Sequence, residues 1–170
     1  MTAGQFLNIK LLHECFGKVR IRETGVRLRE AYLFDKGWKN VDPIAAATFL
    51  FSLFASPAKN ATKYAALTAA KSGEIISGKQ KNDRTIRAYI AKLLYDKESR
   101  DQVDYLTVSQ KDGSTKVYFK DRNKPEEWFN SNDSGIDYDG FNFNEVDIDV
   151  LTYVGWRFFE QLAETLNYQK

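Results

Sequence analysis

The feature that most constrains this fold is an apolar stretch that begins at Asp42-Pro43 and stops at Ser56-Pro57. An aspartate followed by proline is a strong helix start, because the carboxylate caps free backbone N–H groups and proline suits the first helical position. The second proline disfavours helical backbone at the preceding serine. These signals predict a helix over residues 43–55. It is apolar on nearly all sides, so we expect it at the centre of a core, and it is shorter than the roughly 20 residues that cross a membrane.

The size and composition of the chain are those of one folded domain. The chain has 170 residues, of which 43% are hydrophobic and 14% aromatic, enough to build a core. Its single cysteine, Cys15, excludes an internal disulfide and is typical of a reducing compartment. The first residues lack the basic flank and apolar core of a secretory signal. We therefore expect a single soluble, cytoplasmic domain over residues 1–170.

Local patterns predict an α+β fold with a helical core, two β-hairpins and a long C-terminal helix. Besides the apolar helix, helices are expected over residues 61–72, 84–98 and 146–167. One hairpin is expected over residues 104–120, where Asp112-Gly113 has turn chemistry between two alternating segments. A short element ending near Gly17 opens the chain.

The other hairpin is expected over residues 18–29. Apolar and basic residues alternate on both sides of the Glu23-Thr24-Gly25 segment, which predicts two strands and a turn. Such strands would place five cations on one outward face: Lys18, Arg20, Arg22, Arg27 and Arg29. Like charges this close repel each other across strands, so they require either nearby acids or a polyanion such as a phosphate backbone.

Charge is divided unevenly along the chain. Residues 1–124 carry 23 Lys and Arg against 13 Asp and Glu, whereas residues 125–170 carry 2 against 10. A basic body with an acidic C-terminal region indicates a surface for polyanions and a separate acidic surface. Alternatively, the two regions neutralise each other within one fold.

The predicted order of three helices and a hairpin over about residues 42–120 resembles the winged helix-turn-helix fold. The resemblance lies in element order alone, and residues 73–82 make a longer connection than the tight turn of a simple helix-turn-helix. It implies DNA binding, with the third helix in the major groove and the hairpin as the wing. The implied groove-facing residues are Arg84, Arg87, Ala88 and Ala91, with Lys92 at the edge; the implied wing contacts are Lys111, Lys116 and Lys120.

A further cluster of cations surrounds the start of the helix expected over residues 84–98. Its members are Lys79, Lys81, Arg84 and Arg87. Cations there oppose the helix dipole, and together with exposed amides they could receive a phosphate. The alternative is a solvated loop.

The acidic C-terminal region favours a protein partner rather than a metal. Asp137, Asp139 and Gly140 imitate part of a calcium-binding loop, but Gly135 and Val146 occupy positions that need ligands. Aromatic residues in this region are candidates for contact with a protein partner or a second copy of the chain: Trp128, Tyr138, Tyr153 and Trp156.

Sequence signals for catalysis are nearly absent. His13 is the only histidine and nothing orients it against Cys15 as a base for a nucleophile. The chain has no phosphate-binding glycine loop and no dinucleotide fingerprint, so we expect no cofactor, no metal and no enzymatic activity. The leading hypothesis is a nucleic-acid-binding protein for DNA or RNA, either a winged-helix DNA binder or a small subunit of a nucleoprotein complex. The alternative is a protein-interaction module, such as an inhibitor, an adaptor or a nucleic-acid mimic, that acts through the acidic aromatic C-terminal region.

Overall fold

A computed structural model describes residues 1–55, 86–110, 113–129 and 150–168. These residues form seven helices and a four-stranded antiparallel sheet in the order β3-β2-β1-β4. The α+β class is confirmed, and no helix within the described ranges has the length and apolarity of a membrane span. The elements are α1 (Ala3–Leu7), α2 (Lys10–Phe16), α3 (Lys18–Glu30), α4 (Pro43–Ala55), α5 (Ile86–Tyr95), α6 (Lys97–Gln102), β1 (Val103–Ser109), β2 (Thr115–Phe119), β3 (Glu127–Phe129), β4 (Leu151–Gly155) and α7 (Trp156–Leu166).

Helix α4 lies at the centre of the core, as its sequence predicts. The Asp42 carboxylate accepts a hydrogen bond of 2.7 Å from the Ala45 N–H, which is the expected cap. Every residue of the helix from Ala45 onward is buried. It packs against α3, α5 and β1, so its all-round apolar surface is covered by neighbours on several sides.

The hairpin expected over residues 18–29 is wrong, because this segment is the 13-residue helix α3. Its buried residues Ile21, Thr24 and Leu28 recur at helical spacing. Gly25 lies inside the helix, and the glycines with positive φ in the described ranges are Gly17 and Gly113 instead. Gly17, with φ +80°, ends α2 as expected and starts α3.

The second hairpin is confirmed by the antiparallel pairing of β1 with β2. Its side chains Leu106, Val108 and Val117 are fully buried on the face toward the helices. The hairpin is not a free wing, however, since β4 pairs with the outer side of β1 and β3 with the outer side of β2. The expected helix 61–72 of the winged-helix resemblance lies outside the described residues.

The prediction of a long C-terminal helix over residues 146–167 is also wrong in its first part. Leu151–Gly155 forms strand β4, and α7 covers only the 11 residues Trp156–Leu166. Thr152, Tyr153 and Val154 are β-branched or aromatic and favour a strand, which β1 completes by pairing along its whole length.

The helix expected over residues 84–98 is present as α5 but is interrupted at Asp96, whose backbone is extended, before α6 begins. The winged-helix resemblance implied that Ala91 faces a DNA groove, and this is wrong because Ala91 is buried. Helices α4 and α7 both pack against α5, so two of its sides are covered. Ala88 is half-buried.

Candidate nucleic-acid interface

The face of the sheet directed away from the helices carries a row of side chains across all four strands. Trp128 pairs with Lys116, Lys116 with Thr107, and Thr107 with Tyr153. Neighbouring strands lie about 4.8 Å apart, so the row spans roughly 14 Å. Trp128 is 59% exposed and Tyr153 68% exposed, whereas the small Thr107 between its larger neighbours is buried.

A second row follows on the same face. Tyr118 pairs with Tyr105 across β2 and β1, and Tyr105 pairs with Gly155 on β4. The rings of Tyr105 and Tyr118 stack with centroids 4.5 Å apart and an interplanar angle of 16°. Tyr153 lies diagonally, with its ring centroid 6.0 Å from that of Tyr105. We call the set Tyr105, Thr107, Lys116, Tyr118, Trp128 and Tyr153 the outer face.

The cation of the outer face lies directly over an aromatic ring. The Nζ atom of Lys116 is 3.9 Å from the centroid of Trp128 and 5.7 Å from that of Tyr118. Such contacts stabilise by about 0.5–1 kcal/mol at exposed sites. They hold the ammonium group close to the rings, so an approaching anion meets charge and aromatic surface together.

Further cations lie over rings at the end of β2 and the start of α7. Lys120 Nζ is 4.1 Å from the Trp156 centroid, and the Arg157 guanidinium carbon is 5.3 Å from it. Lys124 Nζ is 3.9 Å from the Phe119 centroid. Because Trp156 directly follows Gly155, which pairs with Tyr105, Lys120 and Arg157 border the second row of the outer face. Phe119 packs against the core, so Lys124 lies outside this border.

Tyr105 of the outer face keeps its proton at physiological pH. The pKa of Tyr105 is raised above its ordinary value, mainly by desolvation and then by Tyr118, Tyr153 and Asp104, with Lys116 acting in the opposite direction. A phenol with a raised pKa keeps its proton. The Tyr105 ring therefore carries no negative charge that would repel a polyanion.

This arrangement combines the two features that surfaces for unpaired nucleic-acid strands share, exposed aromatic rings and nearby cations. Exposed aromatic rings accept bases by stacking, which contributes about 1–3 kcal/mol per base, while nearby cations contact phosphates. A sheet with aromatic residues on its open face is one way in which proteins bind two or three successive bases.

The five cations predicted to lie on one face of the first hairpin lie on helix α3 instead, where three are exposed and two are buried or half-buried. Lys18, Arg22 and Arg29 are exposed. Arg20 is half-buried and donates a hydrogen bond to the Leu53 carbonyl, and Arg27 is buried beside Glu23, with 3.5 Å between the nearest nitrogen and oxygen atoms. The prediction that all five cations lie on one outward face is therefore wrong, because residues two apart point in different directions on a helix.

The cations predicted around the third helix give a mixed outcome. Arg87 is half-buried, and burial lowers its pKa although Asp42 acts in the opposite direction. Lys92 is exposed on α5 and is not part of the outer face. Lys116 belongs to the outer face, and the remaining residues, Lys79, Lys81, Arg84 and Lys111, lie outside the described residues.

Of the predicted partner-contacting aromatics, Trp128 and Tyr153 come together on the outer face, and Trp156 lies half-buried at its border. Tyr138 and the imitated calcium loop lie outside the described residues. Sequence reasoning missed Tyr105 and Tyr118. Their signal is the alternation of the hairpin itself, since they occupy the positions between the buried residues of β1 and β2.

His13 and Cys15, the residues considered for catalysis, have contacts that do not activate a nucleophile. The His13 Nε2 donates a hydrogen bond of 2.7 Å to the Leu7 carbonyl. The pKa of the Cys15 thiol is raised by desolvation and by Glu14, the opposite of what activates a thiol nucleophile. In the described ranges, no three His, Cys, Asp or Glu side chains are placed to hold a metal ion.

Comparison of the chain with protein-family models, with curated proteins and with solved structures finds no match.

Proposed function

We propose that this protein binds single-stranded DNA or RNA on the outer face of its sheet. The observation that supports the proposal best is the contact between Lys116 and Trp128, in one row with the exposed Tyr153. Stacked or exposed rings offer surfaces for bases, and Lys116, Lys120 and Arg157 offer charges for phosphates.

A single strand suits this surface better than a duplex. Aromatic rings that lie exposed on an open sheet need bases whose faces are free, whereas the bases of a duplex are already stacked on each other. Duplex reading by a helix requires an exposed helix face that enters the major groove. Helix α5, implied for that role, has Ala91 buried and Arg87 half-buried.

A protein partner is the second candidate function, and it has its own observation. Val150 is 53% exposed and Leu151, which shares the outward side of β4 with Tyr153, is 42% exposed. This apolar continuation of the outer face suits a protein surface. A protein partner held by Tyr153, Trp128 and Leu151 would bind with much weaker salt dependence than a polyanion.

The proposal is tested by fluorescence anisotropy with labelled oligo(dT), oligo(U) and a duplex of the same length. We expect the single strands to bind more tightly than the duplex. With three phosphate contacts, affinity falls by about 20-fold between 50 and 200 mM salt.

A matched pair of variants locates the site. Tyr153→Ala should weaken binding by about 5- to 150-fold, the effect of one stacked base. Tyr32→Ala is the control, because Tyr32 is 93% exposed and lies outside the outer face. Equal affinity of the two variants, or a preference for duplex, would contradict the proposal, and absence of binding to all three probes would favour the protein partner.

A further inference from the structure

A groove of about 520 Å³ runs along helix α3, on a different part of the molecule from the outer face. Lys18, Arg22 and Arg29 line it from the helix. They are four and seven residues apart, which places them on one side of a helix over about 16 Å. Lys36, from the segment after α3, adds a fourth cation.

The charged residues among the described lining of this groove are all basic. No aspartate or glutamate of the described ranges lines the groove, and the four cations form no ion pair with a described residue. By comparison, Lys10 on the neighbouring helix α2 does form an ion pair, with Glu14. Four like charges around one concave surface attract an anion, because a concave surface focuses their field.

The remaining lining of the groove is largely apolar. Leu7, Ile21 and Phe34 contribute apolar surface, and Val26 lies at the rim with 42% exposure. Gly25 contributes only its backbone to the lining. An apolar surface bordered by a few polar or charged groups is the usual composition of small-molecule sites, and their volumes are about 300–1,000 Å³.

We propose that this groove binds a small amphipathic anion, an apolar body that carries a phosphate, sulfonate or carboxylate group. The apolar body lies against Leu7, Ile21 and Phe34, and the anionic group lies between Arg22 and Arg29, whose planar guanidinium groups can each donate two hydrogen bonds to it. None of the outer-face residues lines the groove, so this site is independent of nucleic-acid binding.

The test uses the aromatic sulfonate 1-anilinonaphthalene-8-sulfonate, whose fluorescence rises in apolar surroundings, with the folded full chain. We expect saturable binding that weakens at high salt, and weaker binding of the uncharged N-phenyl-1-naphthylamine. A matched pair of rim variants assigns the site. Val26→Glu brings a negative charge to the groove and should weaken dye binding about tenfold, the effect of one charge at about 6 Å in partly solvated surroundings. Val26→Gln introduces a side chain of the same shape as glutamate but without its charge, and it should change dye binding less than twofold.

The outcomes that would overturn the proposal are distinct. They are no dye binding, equal affinity of the two Val26 variants, and equal binding of the charged and uncharged dyes. The dye is also displaced with competitors, whose concentrations are counted per negative charge. If poly-glutamate or oligo(dT) displaced the dye at a lower concentration than inorganic pyrophosphate does, the groove would be a site for a macromolecule instead. Oligo(dT) binding itself should be unchanged in both Val26 variants, so failure here and failure of the nucleic-acid proposal are separate results.

Discussion

Replacement of Gly25 by alanine distinguishes a helix at residues 18–30 from the hairpin that the sequence favours. In the structure Gly25 lies inside α3, and a Cβ atom there would lie 3.7 Å from Phe49 and 3.8 Å from Leu7, which are ordinary contacts. Glycine in a helix interior costs about 0.5–1 kcal/mol relative to alanine. We therefore expect Gly25→Ala to raise the free energy of unfolding by about that amount, and the Tm by about 1–4 °C for a chain of this length.

The assay is urea and thermal unfolding followed by far-UV circular dichroism, with Gly17→Ala as the matched control. Gly17 has φ +80° and an added Cβ would contact nothing within 4 Å, so the only effect of that substitution is backbone strain. It should destabilise by about 1–3 kcal/mol. If Gly25→Ala destabilised the protein as much as Gly17→Ala does, residues 23–25 would form a glycine turn and the helix would be refuted.

Three further predictions follow from individual contacts. Lys116→Gln should reduce the salt slope of oligo(dT) binding by about 0.7, the share of one phosphate contact, and an unchanged slope in anisotropy titrations would exclude that contact. Asp104→Asn should strengthen oligo(dT) binding about twofold at low salt, because it removes an exposed negative charge beside the outer face; weaker binding would argue against phosphates there. Arg20→Ala should lower the free energy of unfolding by about 1–3 kcal/mol, since it removes the hydrogen bond that the Leu53 carbonyl accepts from Arg20, whereas the exposed Arg22→Ala should change it by less than about 0.5 kcal/mol; equal urea midpoints would contradict the role of Arg20.

Elements with strong local signals were predictable from the sequence. The cap and proline at Asp42-Pro43 and the stop at Ser56-Pro57 define α4 without reference to the rest of the chain. The hairpin of β1 and β2 has a turn signal and clear alternation on both sides. The role of Arg20 was not predictable in this way: Pro57 has no N–H to bond the Leu53 carbonyl four residues before it, but only the fold shows that Arg20 donates to that carbonyl.

Elements that depend on distant partners were not predictable. Residues 18–22 alternate as a strand does, but so short a run also fits a helix, and the burial of Ile21 and Leu28 against the core decides the matter. Leu151 and Val154 are spaced as on a helix face, and the strand there forms because β1 offers an unpaired edge.

The outer face depends on strand register, which local sequence does not specify. Trp128 and Tyr153 belong to the same row only because β3 and β4 lie at opposite edges of the sheet, with Lys116 and Thr107 between them. Spacing along the chain gives no sign of this, since 25 residues separate the two aromatics. The charge pattern predicted a basic surface, and the structure divides those charges between α3 and the sheet.

The most direct test of the central claim is the fluorescence of Trp128 during titration with oligo(dT). A variant with Trp38→Phe and Trp156→Phe leaves Trp128 as the only tryptophan, since the chain has three. Stacking of a base on its ring predicts saturable quenching that follows the anisotropy curve and is reversed by salt. Binding seen by anisotropy with unchanged Trp128 emission would contradict base stacking on the outer face.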